Sequence, residues 1–287
     1  MRKLIVGCGY LGRRVAERWL AAGDEVWAIT REPQRAAELS RLGVRPLVAD
    51  VTRRDSLANL PPVATVLYAV GYDRTSPVSR WNVYVEGLQN FLAAVPAGVE
   101  RLIYISSTGV YGQTDAAWVD ETSECRPTRD AGQAFAAAEQ RLNAHPLGAR
   151  SLVFRVAGLY GPGRVPHRAD LLAGRALAVP SEGYLNLIHV DDMAQVVLAA
   201  ETRAALPRLY LASDGHPVAR RDYYAYLAQL LGVPCPAFVA PASDLPAAQR
   251  ARANKRVNNG RLRTGLGVRF QYPSYREGLR ASLEKAP

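Results

Sequence analysis

Gly7-Cys8-Gly9-Tyr10-Leu11-Gly12 is a G-x-G-x-x-G run lying between an apolar stretch, Leu4–Cys8, and an amphipathic one, Leu11–Ala22, that Gly23 closes. A strand before and a helix after give this spacing its chemistry. Gly7 permits a tight turn, Gly9 lets the backbone approach a pyrophosphate, and Gly12 lets strand and helix pack closely. The free N–H groups at the helix start then face phosphate oxygens. The alternative is an ordinary glycine turn. With the six residues of the run as its floor, the expected ligand is a nicotinamide dinucleotide.

The next strand ends at Thr30-Arg31. A site for NAD(H) usually carries Asp or Glu there, bonded to the ribose hydroxyls. A carboxylate would repel the additional phosphate of NADP(H), and a guanidinium attracts it. Arg31, with Arg35 one helical turn on, therefore favours NADP(H) over NAD(H), and Glu32 is the residue that argues the other way. Asp50 and Val51 follow the third strand. Asp50 has two readings, an acceptor for the adenine amine or a cap on the strand end.

The elements that must hold these groups come from periodicity. Leu4–Cys8, Glu25–Thr30, Arg45–Ala49, Thr65–Val70, Arg101–Ser106 and Ser151–Arg155 read as strands. Between them Leu11–Ala22, Pro33–Leu42, Ser79–Val95 and Gly132–Ala144 read as helices. Strands alternating with helices predict an α/β protein, a Rossmann-type doubly wound parallel sheet. Beyond residue 157 the alternation weakens. Gly158–Gly163 and Val179–Gly183 read as loops, Leu185–Val190 as a strand, and Asp191-Asp192 as the cap of a helix over Met193–Glu201. Leu209–Ala212 is a late strand, with helices over Ala219–Leu231 and Tyr275–Leu283. Residues 1–156 are thus expected to form the dinucleotide-binding domain. Residues 157–287 are expected to form a smaller C-terminal substrate lobe, some of whose elements return to the main domain.

The 287 residues carry a net charge of +10, yet only Lys3, Lys255 and Lys285 are lysines. Arg250, Arg252, Lys255, Arg256, Arg261 and Arg263 form the one basic cluster. No basic stripe interleaved with aromatics marks a nucleic-acid surface, so the partner expected is a small molecule. No apolar run is long enough to span a membrane. Met1-Arg2-Lys3 leads straight into the first strand, which predicts a cytoplasmic protein. Cys8, Cys125 and Cys235 have no metal-like spacing, so no metal is expected. The oligomeric state is open, a homodimer included.

Further motifs give a resemblance across almost the whole chain. Ile105-Ser106-Ser107-Thr108-Gly109-Val110-Tyr111-Gly112, Tyr160-Gly161-Pro162-Gly163 after Arg155, and Ile188-His189-Val190-Asp191-Asp192 resemble motifs of the extended short-chain dehydrogenase/reductases. That group contains the NAD-dependent sugar epimerases and dehydratases. The chain departs from it at Val6, where the family has its first glycine, and at Tyr84, where an Asn is common. It also departs at Ala131 and Phe135, which stand where the family's Tyr-x-x-x-Lys pair belongs. In the family that lysine lowers the tyrosine pKa for proton exchange during hydride transfer.

With that pair missing, the resemblance places Ser107 at the substrate-polarising position and leaves Tyr111 as the replacement acid. Ser107 has a second reading as a turn residue, and Tyr111 as a packing residue. Substrate contacts are expected from Tyr160, Arg164, His167, Arg168, Asn186 and His189. Each arginine has the alternative of a solvated charge, and His189 that of a structural histidine. Two functions remain: an NADP(H)-dependent reductase, epimerase or dehydratase acting on a small polar or anionic substrate, or a non-catalytic NADP(H)-binding sensor or scaffold.

Overall fold

The computed structural model describes residues 1–240 and 253–284; Arg250 and Arg252 of the basic cluster, and Lys285, lie outside them. Seven parallel strands form the central sheet: β1 (Arg2–Val6), β2 (Glu25–Thr30), β3 (Arg45–Val48), β4 (Thr65–Tyr68), β5 (Arg101–Ser107), β7 (Ser151–Val156) and β11 (Arg208–Ala212). Their order is β11-β7-β5-β4-β1-β2-β3. Every residue of β4 and β7 is buried, as expected when helices cover both faces of a parallel sheet. From β1 the chain runs outward through β2 and β3, then returns to the other side of β1 with β4. That reversal opens a crevice at the carboxyl ends of β1 and β4, where such sheets bind ligands.

One face is covered by α1 (Tyr10–Ala21) and α6 (Val190–Arg203). Leu11, Val15, Ala16 and Trp19 of α1 fall on one stripe and pack with Val196, Val197 and Ala200 of α6. The other face carries α3 (Gly87–Ala94) and α4 (Asp130–Ala144), with Leu88, Phe91, Ala134 and Ala138 in a second core. The continuous helix expected over Ser79–Val95 is interrupted. Asn82–Glu86 form a wide π turn that buries Val83, Tyr84 and Val85 in succession, which a regular helical step cannot place on one face.

The residues after 157 take part in three two-stranded sheets. β8 (Gly158–Tyr160) pairs in parallel with β10 (Leu187–His189), and β9 (Tyr184–Leu185) pairs antiparallel with β12 (Val218–Ala219). β13 (Lys255–Val257) runs parallel to β6 (Ala117–Val119). The single strand expected over Leu185–Val190 is therefore broken at Asn186. Its amide bonds the backbone of β13 on both sides, Nδ2 to the Lys255 carbonyl at 2.8 Å and Oδ1 from the Val257 N–H at 2.7 Å.

The start of α6 also differs from expectation. His189 is the cap, its Nδ1 accepting from the Asp191 N–H at 3.2 Å. Asp191 and Asp192 lie inside the first turn, where carboxylates suit the helix dipole. A third apolar cluster closes this part, with Tyr160 and Leu187 against α7 (Arg220–Leu231) and α9 (Tyr275–Glu284). α2 (Pro33–Arg41) lies between β2 and β3, and α5 (Arg168–Leu172) and α8 (Gly260–Leu266) are short.

Candidate active site

The turn between β1 and α1 depends on bare glycine. Gly7 has φ +90°, and a Cβ there would lie 2.6 Å from the Ala69 carbonyl oxygen; one on Gly12 would lie 2.7 Å from the Gly7 carbonyl oxygen. The helix begins with Gly9 as cap, no side chain bonds its first amides, and its first turn holds no acid. Those N–H groups are the unsatisfied donors of every helix start, and they carry the positive end of the dipole. A cavity of about 470 Å³ opens over them. Gly7, Cys8, Gly9, Tyr10, Leu11, Thr30, Arg31, Arg35, Val51 and Arg164 all wall it, and Gly12 packs beneath.

Cations ring this cavity. Arg35 donates from Nη2 to the Cys8 carbonyl at 3.2 Å, which holds its guanidinium beside the glycine turn. Arg31 faces Asp73 at 3.5 Å, both side chains largely in solvent, so the pair is weak and open to exchange. Arg164 lies over the Tyr10 ring, 5.4 Å from its centroid, and Tyr10 donates to the Pro162 carbonyl. Glu32 is in the wall as well. Burial pushes the Cys8 thiol up to about 11, so it stays protonated. Asp50 is not part of the cavity wall, although its neighbours Ala49 and Val51 are. Its Oδ1 takes the Thr52 N–H at 2.9 Å and the Thr52 hydroxyl at 2.8 Å, closing the turn after β3; of its two readings, the geometry is that of the cap.

At the other end the wall is Ile105, Ser106, Phe135 and Leu159. Ser107 stands one residue beyond, where its Oγ accepts the Gly109 N–H at 3.0 Å and caps the short turn Thr108–Val110. Tyr111 is turned away from the cavity. Its side chain is 1% exposed, its hydroxyl donates to the Asp120 carbonyl at 2.7 Å, and it accepts from Arg155 Nη1 at 2.7 Å. Burial outweighs the Arg155 charge and pushes the phenol up to about 12. A cation that favours an ionised phenol is present in Arg155, yet the hydroxyl is spent inside the protein. Arg155 also grips Glu139, which accepts from Ser106 as well.

Most of the expected substrate contacts are structural in this geometry. Tyr160 is fully buried and donates to the Ser274 carbonyl. His189, 1% exposed, sits 3.3 Å from Ser282 Oγ through Nε2 and against the Tyr272 ring. His167 bonds Asp170 at 2.9 Å, outside the cavity wall, and Arg168 opens α5 as an exposed residue. Asn186 is taken by β13. Arg164 alone of the six walls the dinucleotide cavity.

Two residues at this end escaped the motif reading. Lys255 is buried on β13, its Nζ 2.9 Å from the Tyr111 carbonyl, and Arg129 caps α4. The sequence signal for Lys255 was the scarcity of lysine; nothing marked Arg129.

The NAD-dependent epimerase/dehydratase family model matches residues 4–211. The chain belongs to this family. It is 30% identical to Protein YeeZ of Escherichia coli strain K12 over 284 residues, 95% of this chain and 97% of that one. It is 28% identical to a 3-diazoavenalumate denitrifying reductase of a Streptomyces species, covering 97% of this chain and 99% of the relative. A functionally unknown protein from Silicibacter pomeroyi superposes with a TM-score of 0.83 at 33% identity over 99% of both chains. UDP-glucose 4-epimerase of Thermus thermophilus, solved with NAD, shares the fold with a TM-score of 0.83 at 22% identity, covering 99% of this chain and 98% of that one. As an epimerase/dehydratase family member the chain has an NAD(P)-binding Rossmann fold, and no described helix is long and apolar enough to cross a membrane.

Proposed function

We propose that this epimerase/dehydratase family member is a cytoplasmic NADP(H)-dependent reductase for a small polar or anionic substrate, with a proton donor other than the family's tyrosine. The observation that carries the coenzyme choice is the pair Arg31 and Arg35. Both wall the dinucleotide cavity beyond β2, and Arg35 is tethered to the glycine turn itself. The coenzyme fits the residues present, since Gly7 and Gly12 let the turn pack closely enough that a Cβ on either would strike backbone, and the first amides of α1 are uncapped. When bound it supplies hydride.

The chain's own part is to orient and to exclude water. The α1 amides would hold the diphosphate, Arg31 and Arg35 the extra phosphate, and Ile105, Phe135 and Leu159 would give the nicotinamide end apolar walls. Ser107, at the carboxyl end of β5, is the hydroxyl we assign to polarising the substrate once its turn contact to Gly109 is exchanged. Arg164, over Tyr10 at the rim, would meet an anionic group. A reductase is also what the Streptomyces relative is named.

Fluorescence titration with NADPH and NADH tests the coenzyme choice. NADPH should bind about tenfold or more tightly, and Arg35→Gln should remove most of that margin, the worth of one or two charge-assisted bonds. Equal affinities in the native protein would refute it. Incubation with NADPH and a panel of ketones, imines and nucleotide sugars, following loss of absorbance, then tests turnover. One observation favours the sensor or scaffold reading: Ala131 and Phe135 replace the acid and its partner, and Tyr111 is occupied. Tight NADPH binding without turnover on any substrate would decide for it.

A further inference from the structure

Two cations stand together at the carboxyl end of β5, with no counterion among the described residues. Lys255 is 6% exposed and spends one N–H on the Tyr111 carbonyl. Arg129 is half-buried as the cap of the fifteen-residue helix α4, and its side chain bonds none of the helix amides. A Cβ built on Gly109 would lie 3.3 Å from Arg129 Nη2 and 3.2 Å from Ser107 Oγ. The bare glycine is thus what brings guanidinium and hydroxyl to one spot.

Among the described residues neither cation has a carboxylate partner. Glu139, further along α4, is taken by Arg155 and Ser106, and Glu124 by Arg126. The Tyr111 phenol faces Arg155 instead. Burial, with Arg129 as a like charge beside it, pulls Lys255 down to about 8, and burial pulls Arg129 down as well. Uncompensated buried charge is costly and persists where something else repays it. An anion repays both cations at once.

We propose that Arg129 and Lys255, with Ser107 beside them, seat a single oxyanion of the substrate, a carboxylate or a phosphate. The proposal rests on reading the adjoining cavity as a reductase site, and it names the charged group of that substrate. α4 links the two places: Phe135, in the cavity wall, follows Arg129 by less than two helical turns. The helix start adds the positive end of its dipole to the two side chains.

The three lysines make the test direct. Full-length protein carrying [ε-¹³C]lysine gives three signals, and Lys255→Met assigns one. Lys3 is already paired with Asp24 and Glu201 and serves as an internal control. The Lys255 signal should titrate near 8 in free protein. Inorganic phosphate or acetate should raise that midpoint by about one pH unit, as an opposing charge does. Arg129→Gln should weaken the anion response about tenfold, the worth of one charge-assisted bond.

A response to phosphate alone identifies a phosphoryl group, and one to acetate alone a carboxylate; either supports the seat. A midpoint indifferent to both anions, in protein that still binds NADPH, overturns it and leaves the coenzyme reading standing. An anion response in protein that binds no nicotinamide coenzyme keeps the seat and overturns the reductase.

Discussion

The rings of Tyr84 and Phe135 meet with centroids 4.2 Å apart, inclined at 32°. Tyr84 comes from the π turn ahead of α3 and Phe135 from the middle of α4, and Phe135 also forms cavity wall. The resemblance puts a polar Asn and a Lys at these two positions, so a proton-handling corner has become an aromatic one. Burial pushes the Tyr84 phenol up, which keeps it neutral. Phe135→Ala should therefore act through packing. We expect a loss of about 2 kcal/mol, below that of a fully buried aromatic because the ring is only partly buried. Urea unfolding measures it, and an unchanged midpoint would show that the ring contact stabilises nothing.

Gly7→Ala should be severe for a local reason. The backbone is held at φ +90°, and the added methyl would meet the Ala69 carbonyl. The strain is of order 1–3 kcal/mol, and relieving it moves the amides that face the diphosphate. The variant should fold with reduced stability and lose nicotinamide coenzyme binding. Calorimetric titration showing native affinity would mean that the turn does not hold the diphosphate.

Tyr111→Phe separates packing from catalysis. Removing the hydroxyl leaves the Asp120 carbonyl and one Arg155 N–H without their partner, at a cost of about 1–3 kcal/mol. Stability should fall, while turnover with NADPH per folded molecule should stay at the native level. A large drop in kcat without a drop in stability would restore Tyr111 as an acid.

What could be read in the chain beforehand follows the reach of each interaction. The Gly7–Gly12 turn, the alternation of strands and helices, and the capping alternative for Asp50 rest on residues a few positions apart. Tyr111 misleads because Arg155, forty-four residues on, occupies its hydroxyl. Lys255 reaches the Tyr111 carbonyl across 144 residues, and no local pattern carries such a pairing. Asn186 looked like a substrate contact within a strand, and only the arrival of β13 shows that its amide staples two segments. His189 was legible as a structural residue, since its cap partner is two residues away.

Lys255 should leave a signature in stability against pH. Its pKa in the folded chain, about 8, lies below its ordinary 10.5. Between those values the unfolded chain binds the extra proton, so stability rises with pH there and the penalty is complete below the folded value. Native protein should gain about 2 kcal/mol from pH 8 towards pH 10, a figure kept below the full shift because ionising tyrosines oppose it at the upper end. Lys255→Met should lack that slope and be the more stable form at neutral pH. Parallel urea midpoints for the two proteins across this range would contradict a depressed Lys255.

Asp214 should show the opposite slope. It follows β11, 3% exposed, with Oδ1 accepting the His216 N–H at 2.9 Å and Oδ2 buried without a partner among the described residues. Burial, helped by Asp192 and Glu277, pushes it up to about 8 from 3.8. Between those values the folded chain holds the proton that the unfolded chain releases, so stability falls as pH rises. Asp214→Asn removes the charge and keeps an oxygen for the His216 amide. The variant should resist urea better than native protein at pH 8, by an amount on the order of a few kcal/mol. The advantage should shrink towards pH 4, where the folded carboxyl is protonated and the unfolded one begins to protonate as well. A gap of constant size from pH 4 to pH 8 would mean that Asp214 finds a partner for its charge in solution.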